Sequence, residues 1–384
     1  MRNTTYRWCN RSTLGSQRGF TLVELMVSIT IGMLIALALM TMLISVNRNN
    51  TEMTKANRII ENGRFALKLL EADVSHAGYW AGHLPEFDDL TATIVPTDAP
   101  TAVPNPCKAY ADWTATDRNN LVGIGIQPYS LSASVPTSPF CSSLMPNAKI
   151  RTDALFVRHA DTCVPGVGQC AALSTGEVLF QSSRCASAVT SFVLSAAGLD
   201  LQNRDCATVA EVRRFVSNLY YVRDYAVTAG DGIPTLMRSQ FGLSGTTPQH
   251  LPAQPMIHGI EGFRVVLGID NVSDSGAAVN FGQTIAWADA ALRNSPTNRG
   301  DGIPDGAYVR CPSNAPCTAA QLMNTVAVQV FVLVRAEQPT PGYTDTKVYD
   351  LGLTTLGPFN DPFKRHLFQQ TVRLVNVASR RETP

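Results

Sequence analysis

Charge is scarce along this 384-residue chain: Asp, Glu, Lys and Arg make up 16% of it, and between Leu25 and Val46 none occurs. Histidine is rarer still. His76, His83, His159, His250, His258 and His366 show no HExxH or comparable spacing, which leaves a zinc hydrolase without ligands. No glycine-rich loop ends in Lys-Ser or Lys-Thr, and Gly242-Leu243-Ser244-Gly245 lacks the middle residue of a nucleophile elbow. Nucleotide-driven and serine-hydrolase chemistry therefore have no motif. A basic tract is missing too: Arg213, Arg214, Arg223 and Arg238 are too scattered to form a stripe, which argues against nucleic acid as the main ligand. With no internal repeat either, the expectation is a structural and interaction protein with no enzymatic activity.

The uncharged run is itself the strongest positive signal. From Phe20 to Val46 it is long enough to cross a bilayer as a helix, roughly 20 residues being sufficient. A secretory signal would be shorter and would end in a small-residue cleavage site, whereas here Asn47-Arg48-Asn49-Asn50 follows. Arg2, Arg7, Arg11 and Arg18 precede the run with no acid among them, so the positive-inside rule puts the N-terminus in the cytoplasm and exports the rest. One acid, Glu24, stands just inside the span. A carboxylate at the bilayer centre costs about 2.5–3.5 kcal/mol and marks a pairing partner. The span offers no cation, but cleavage between Gly19 and Phe20 would create an α-amine able to meet Glu24 of an adjacent subunit.

These residues resemble the type IV prepilin signature: a basic leader, Gly19 before the cut, Phe20 as the new first residue and Glu24 as the fifth, worded Thr21-Leu22-Val23-Glu24-Leu25. The resemblance implies a precursor cut at Gly19 by a prepilin peptidase, which also methylates the Phe20 amine.

Removing the four leader arginines leaves 27 basic against 30 acidic residues, so the mature chain is close to neutral. Of nine cysteines, Cys9 lies in the leader; Cys107, Cys141, Cys163, Cys170, Cys185, Cys206, Cys311 and Cys317 remain. An even number suits an oxidised periplasmic domain. Pairing in chain order is the simplest of roughly a hundred arrangements, among which the sequence does not choose. Without CxxC or paired His, metal ligation by these cysteines has little support.

Beyond the span, Met53, Ala56, Ile60, Gly63, Leu67, Leu70 and Val74 recur at steps of three and four, with Arg58, Glu61, Arg64, Lys68 and Glu71 on other faces. The pattern predicts one continuous helix from Phe20 to about His76, roughly 85 Å long. Its first half suits lipid or a filament core, and its second half has a seam (Met53, Ala56, Ile60, Leu67, Leu70, Val74) for packing on a head. Ala77-Gly78-Tyr79-Trp80 gives the stop, with Gly78 available for a left-handed position.

Residues 85–148 read as Pro-rich loop with one short strand at Leu121–Ile126, and strands dominate after Lys149: Ala154–Arg158, Phe215–Val222, Phe263–Ile269, Val326–Val334, Val348–Leu353 and Leu367–Val377. Val326–Val334 is apolar on both faces and is expected at the centre of a sheet. The fold class is α+β, divided into a leader (1–19), a transmembrane or filament-core helix (20–46), an amphipathic continuation (47–76) and a β-rich periplasmic head (77–384). Tyr79-Trp80 and Tyr220-Tyr221 are read as core aromatics.

Several head fragments are similar to the PilW family of minor pilins: Asn62-Gly63-Arg64-Phe65-Ala66-Leu67 with Ala77-Gly78-Tyr79, Ile260-Glu261-Gly262-Phe263-Arg264-Val265 before Gly268-Ile269-Asp270, the Asp301-Gly302-Ile303-Pro304-Asp305 loop, and Thr371-Val372-Arg373-Leu374-Val375-Asn376. Coverage is a quarter to a third of the chain. The stretch from Asn271 to Arg299 is longer than the family pattern, and Val375 stands where Arg is common. The resemblance implies an inner-membrane subunit that joins a pilus, primes assembly and supports tip presentation, twitching or adhesion. Its implied partners are other minor pilins, the major pilin, a PilY-type tip protein, the prepilin peptidase/methyltransferase and the inner-membrane assembly platform. The alternatives are a J-type minor pseudopilin of type II secretion and a DNA-uptake pilin. No cofactor is expected. Asp301 and Asp305, and the similar Asp231-Gly232-Ile233-Pro234, look like fragments of Ca²⁺ loops, but the alternate upstream positions carry Arg299 and Thr297, so plain turns fit better.

Overall fold

The computed structural model describes residues 19–131 and 141–383. The leader arginines and Cys9 lie outside the described residues. The chain divides into two units, Met1–Thr54 and Lys55–Pro384, and a single helix, α1 (Leu22–Val74), runs through the division.

In the first unit α1 is exposed among the described residues. Leu34 is 66% exposed and Met42 65%, and the apolar stretch has a mean hydropathy of 2.5, enough in length and composition to cross a membrane. Its few hydroxyls turn back onto the helix: Ser28 Oγ donates to Glu24 O (2.7 Å), Thr30 Oγ1 to Val27 O (2.8 Å) and Thr41 Oγ1 to Ala38 O (2.8 Å). A hydrocarbon solvent demands this internal satisfaction of polar groups.

In the second unit the remaining turns of α1 bury Ile59, Gly63, Ala66, Leu70 and Val74. After α2 (Ala115–Gly123) come β1 (Ile126–Leu131), β2 (Thr152–Ala160), β3 (Leu179–Ser182), β4 (Phe192–Ser195), β5 (Val212–Arg223), β6 (Thr235–Ser244), β7 (Thr247–His250), β8 (Gln254–His258) and β9 (Ile260–Ile269). The remainder is β10 (Trp287–Asp289), β11 (Asn294–Pro296), α3 (Ala319–Met323), β12 (Thr325–Arg335), β13 (Tyr349–Asp350), β14 (Thr355–Leu356), β15 (Arg365–Arg373) and α4 (Val375–Ala378).

Long β5 is the spine of the larger sheet, which runs β1-β2-β5-β3-β4 with β6, β7 and β8 attached through β6. Leu219 of β5 sits between Phe156 of β2 and Ser239 of β6. The second sheet is β15-β12-β9, antiparallel throughout, with Val330 between Gln370 and Val265. Central β12 is buried on both faces. Val328, Val330, Val332 and Val334 join α1, β2 and β9 in the main core, while Phe331 and Leu333 join Val266, Tyr349, Leu351 and Leu356 in a second one. Each such fully buried side chain contributes about 1.5–3 kcal/mol.

Four disulfides close loops in chain order: Cys107–Cys141, Cys163–Cys170, Cys185–Cys206 and Cys311–Cys317, with Cα separations of 5.2, 5.8, 4.9 and 4.9 Å. Trp80, Tyr220 and Tyr221 are core residues, and Trp80 Nε1 donates to Val122 O (2.8 Å).

Several sequence expectations are corrected. Leu121–Gly123 ends a helix, α2, because Thr114 and Asp117 form a reciprocal capping box (Asp117 N to Thr114 Oγ1 3.2 Å, Thr114 N to Asp117 Oδ2 2.7 Å); the strand begins only at Ile126. Of Val348–Leu353 only Tyr349–Asp350 pairs, and Leu367–Val377 is strand to Arg373 and helix from Val375. The helix seam is also rotated. Gly63, Leu70 and Val74 of the expected stripe are buried and Leu67 is half-buried, but Met53, Ala56 and Ile60 are exposed, and Ile59 and Ala66 are buried instead. The cause is close approach: a Cβ at Gly63 would collide with the Phe368 ring of β15.

Candidate functional site

Gly19, Phe20 and Thr21 precede the first helical turn and are exposed, Phe20 at 86%. Thr21 caps α1: Glu24 N donates to Thr21 Oγ1 (3.3 Å), and the Glu24 carboxylate accepts from Thr21 N and Thr21 Oγ1 (2.9 Å each). Thr21-x-x-Glu24 is thus a capping box, a signal readable in the sequence but hidden there by the charge argument. It satisfies the carboxylate with neutral donors and sets it at the positive end of the helix dipole. It supplies no cation, since residues 19–47 contain no Lys or Arg.

Further along, the polar ties between α1 and the sheets come from residues that sequence reasoning passed over. Asp73 accepts two hydrogen bonds from Asn218 Nδ2 (3.0 and 2.9 Å) and meets His159 Nε2 at 3.1 Å. Asn62 Nδ2 donates to His258 O (3.1 Å) and Lys55 Nζ to Pro339 O (2.8 Å). At the helix exit Gly78 adopts φ +73°, and its N–H donates to Arg158 O (3.0 Å), so the chain passes from helix to sheet edge within four residues.

The fragments resembling the minor-pilin pattern are where the head buries its charges. Glu261 accepts from Arg365 Nε (2.5 Å), whose guanidinium also reaches Asp345 (2.9 Å) and Asp361 (2.6 Å). Arg264 and Arg310 converge on Asp153 at 3.4 and 2.6 Å. Asp270 holds the Asp301 loop through Gly302 N (2.9 Å) and meets Arg381, which also bonds Asp88 (2.9 Å). Nothing in periodicity marks the pairings of Glu261 with Arg365, Asp153 with Arg264 and Arg310, or Arg381 with Asp88 and Asp270, because each joins positions more than 100 residues apart.

Asp301 and Asp305 both accept backbone hydrogen bonds. Asp305 Oδ2 accepts from Asn271 N and Val272 N (2.7 Å each), and Asp301 Oδ1 accepts from Ile303 N (2.8 Å). Burial, reinforced by Asp274, raises the Asp301 carboxyl above its usual range. Asp231 likewise caps a turn, accepting from Ile233 N, Val227 N, Ala226 N and Thr228 N, and these bonds hold its pKa well down. Among the described residues no group of three or more His, Cys, Asp or Glu side chains could hold a metal ion.

Comparison with known proteins locates both ends of the chain. The family model described as Type IV Pilus-assembly protein W matches residues 219–376, from the second half of β5 into α4 and about two-fifths of the chain. The Prokaryotic N-terminal methylation motif matches residues 14–45. No curated protein matches. Among solved structures, the chain is similar to a type IV-like pilin, TTHA1219 from Thermus thermophilus, at 15% identity and a TM-score of 0.24, covering 59% of this chain and 80% of that one. Joined to the apolar N-terminal helix and the β-rich head, the two sequence matches support a PilW-like minor pilin of type IV pilus assembly.

Proposed function

We propose that this minor pilin sits in the inner membrane with its N-terminus cytoplasmic and its head periplasmic. It is cut between Gly19 and Phe20, methylated on the Phe20 amine, and drawn into the filament. There Glu24 meets the α-amine of a neighbouring subunit. The observation that carries this reading is the Glu24 carboxylate, which among the described residues is capped by Thr21, in a stretch (residues 19–47) without Lys or Arg. An ion pair in a dry helical bundle is stronger than in water and fixes the register of one subunit on the next. The role is architectural, without catalysis by the chain itself: it works with other minor pilins at the start of the filament, primes assembly and helps to present a PilY-type tip protein.

The test is mass spectrometry of the N-terminus from sheared filaments and from membranes, in cells with and without the prepilin peptidase. The expected result is a methylated Phe20 terminus in filaments that disappears without the peptidase. An uncleaved chain confined to membranes would overturn the proposal. Immunogold label along the shaft, instead of at tips, would remove the tip role alone.

A further inference from the structure

The head contains a cavity of about 510 Å³ between the 104–111 loop, α2, β5 and the β6–β7 turn. That volume is in the range of a small-molecule site, roughly 300–1,000 Å³. One wall is aromatic. Trp113 stacks on Phe241 (5.5 Å, 25°) and meets Phe215 (5.9 Å) and Tyr110 (5.3 Å) edge-on, and all four rings line the space. The disulfide Cys107–Cys141 holds the rim.

Arg158 also lines this cavity and is 1% exposed. Its Nη2 donates to Gln127 Oε1 (2.5 Å) and its Nη1 to Ile124 O (3.3 Å), while Nε has no partner. No carboxylate among the described residues pairs with it. The contrast within the molecule is informative. Arg264, Arg365 and Arg381 are just as deeply buried, and each is met by Asp or Glu; buried Arg299 is held by three carbonyls in the field of Asp88. Lys108, the other cation on the cavity, is matched by Asp117 at 2.6 Å. Arg158 is thus left with neutral oxygens and the Phe156 ring, 5.2 Å from its guanidinium carbon, but with no carboxylate among the described residues. Burial pushes Arg158 down to about 10, so it keeps its proton at neutral pH, and its charge helps to hold neighbouring His250 neutral. An isolated buried ion costs several kcal/mol unless something meets it.

We propose that this cavity binds a small organic carboxylate with an aromatic or apolar body. The carboxylate accepts hydrogen bonds from Arg158, and the body lies against Trp113 and Phe241. Guanidinium suits this task because its planar fork matches a carboxylate in geometry as well as charge. The site is independent of the assembly role of α1.

The test is calorimetric titration of the full chain in an uncharged detergent with 3-phenylpropionate and with 3-phenylpropanamide, which keeps the body and removes the charge; detergent alone is the blank. The expected result is saturable one-to-one binding of the acid, at least about tenfold tighter than the amide. Arg158→Met should bring the two probes to the same affinity, and Trp113→Ala should weaken both. No saturable binding of the acid, equal affinity for acid and amide, or an acid preference that survives in Arg158→Met would each overturn the proposal. The acid–amide comparison on the unaltered chain decides the matter even where Arg158→Met does not fold.

Discussion

Leu34 and Met42 of α1 are 66% and 65% exposed, whereas Leu70 and Val74 of the same helix are 1% and 0% exposed. Both halves are helical and rich in apolar residues, yet only the second finds its burial within the chain. Around Leu70 the side chains meet valines from β12 and β9 and lose their water on folding. Around Leu34 nothing among the described residues covers them, and lipid or other subunits would supply their burial. The division decides what each half can tolerate. The first is sensitive to changes in charge, because its surroundings are apolar in membrane and filament alike. The second is sensitive to changes in shape, because its neighbours are fixed.

The largest effect is expected at Glu24. Glu24→Ala removes both the Thr21 cap and the charge, whereas Glu24→Gln keeps a side chain able to complete a capping box and removes only the charge. If pairing with an α-amine drives assembly, both variants should be missing from sheared filaments while the urea midpoint of the head stays unchanged. Normal incorporation of Glu24→Gln would reduce Glu24 to a helix cap.

Next comes the buried charge of the head. Arg365→Met fills similar space but leaves Glu261 and Asp345 without their guanidinium, a loss of about 3–5 kcal/mol. Tryptophan-monitored urea unfolding should show it, with membrane insertion unaffected. Gly63→Val probes shape instead. Its branches run into Phe368, and overpacking of this kind costs about 1–3 kcal/mol. An equally bulky change at Gly32, where an added Cβ meets nothing, should leave head stability alone. If both glycines behaved alike, the contrast between the two halves would fail.

The same contrast explains what could be read from the residues alone. The first half of α1 needs only composition: no charge from Leu25 to Val46, and Glu24 at a fixed place after Gly19. The strands centred on Val157, Leu219, Val265 and Val330 were equally legible, since their β-branched and aromatic runs are long. The seam of the second half was not. Ile59-Ile60, Ala66-Leu67 and Leu69-Leu70 are adjacent apolar pairs, and either member of each fits a helical stripe. The choice is made by Phe368, some 300 residues away, pressing on Gly63. Large side chains dominate a periodicity argument, but a helix approaches a sheet most closely where its residues are small. The Arg158 cavity was hidden for a related reason: its lining comes from five separated segments, and an arginine inside a strand looks like an ordinary surface residue until its burial is known.

The smallest effect sharpens the comparison through pH. His83 and His250 are each pushed down to about 3, by burial first and then by Arg380 and Arg158 respectively, while burial raises Asp98 to about 6 despite its bonds from Glu86 N (2.7 Å) and Phe87 N (3.2 Å). The signs oppose one another. Below the ordinary histidine pKa the unfolded chain takes up protons that folded His83 and His250 refuse, so stability falls with pH. Folded Asp98 takes up a proton that the unfolded chain does not, so its contribution rises as pH falls through about 6. Two histidines outweigh one aspartate. The head should lose about 2–3 kcal/mol between pH 7 and pH 5, and His83→Phe should remove most of that loss. Because Glu24 is the only titratable side chain from Gly19 to Val46, the helical signal of the first half should not follow the same curve. A head that gained stability over this interval would mean that Asp98 dominates and that the two histidines accept protons when folded.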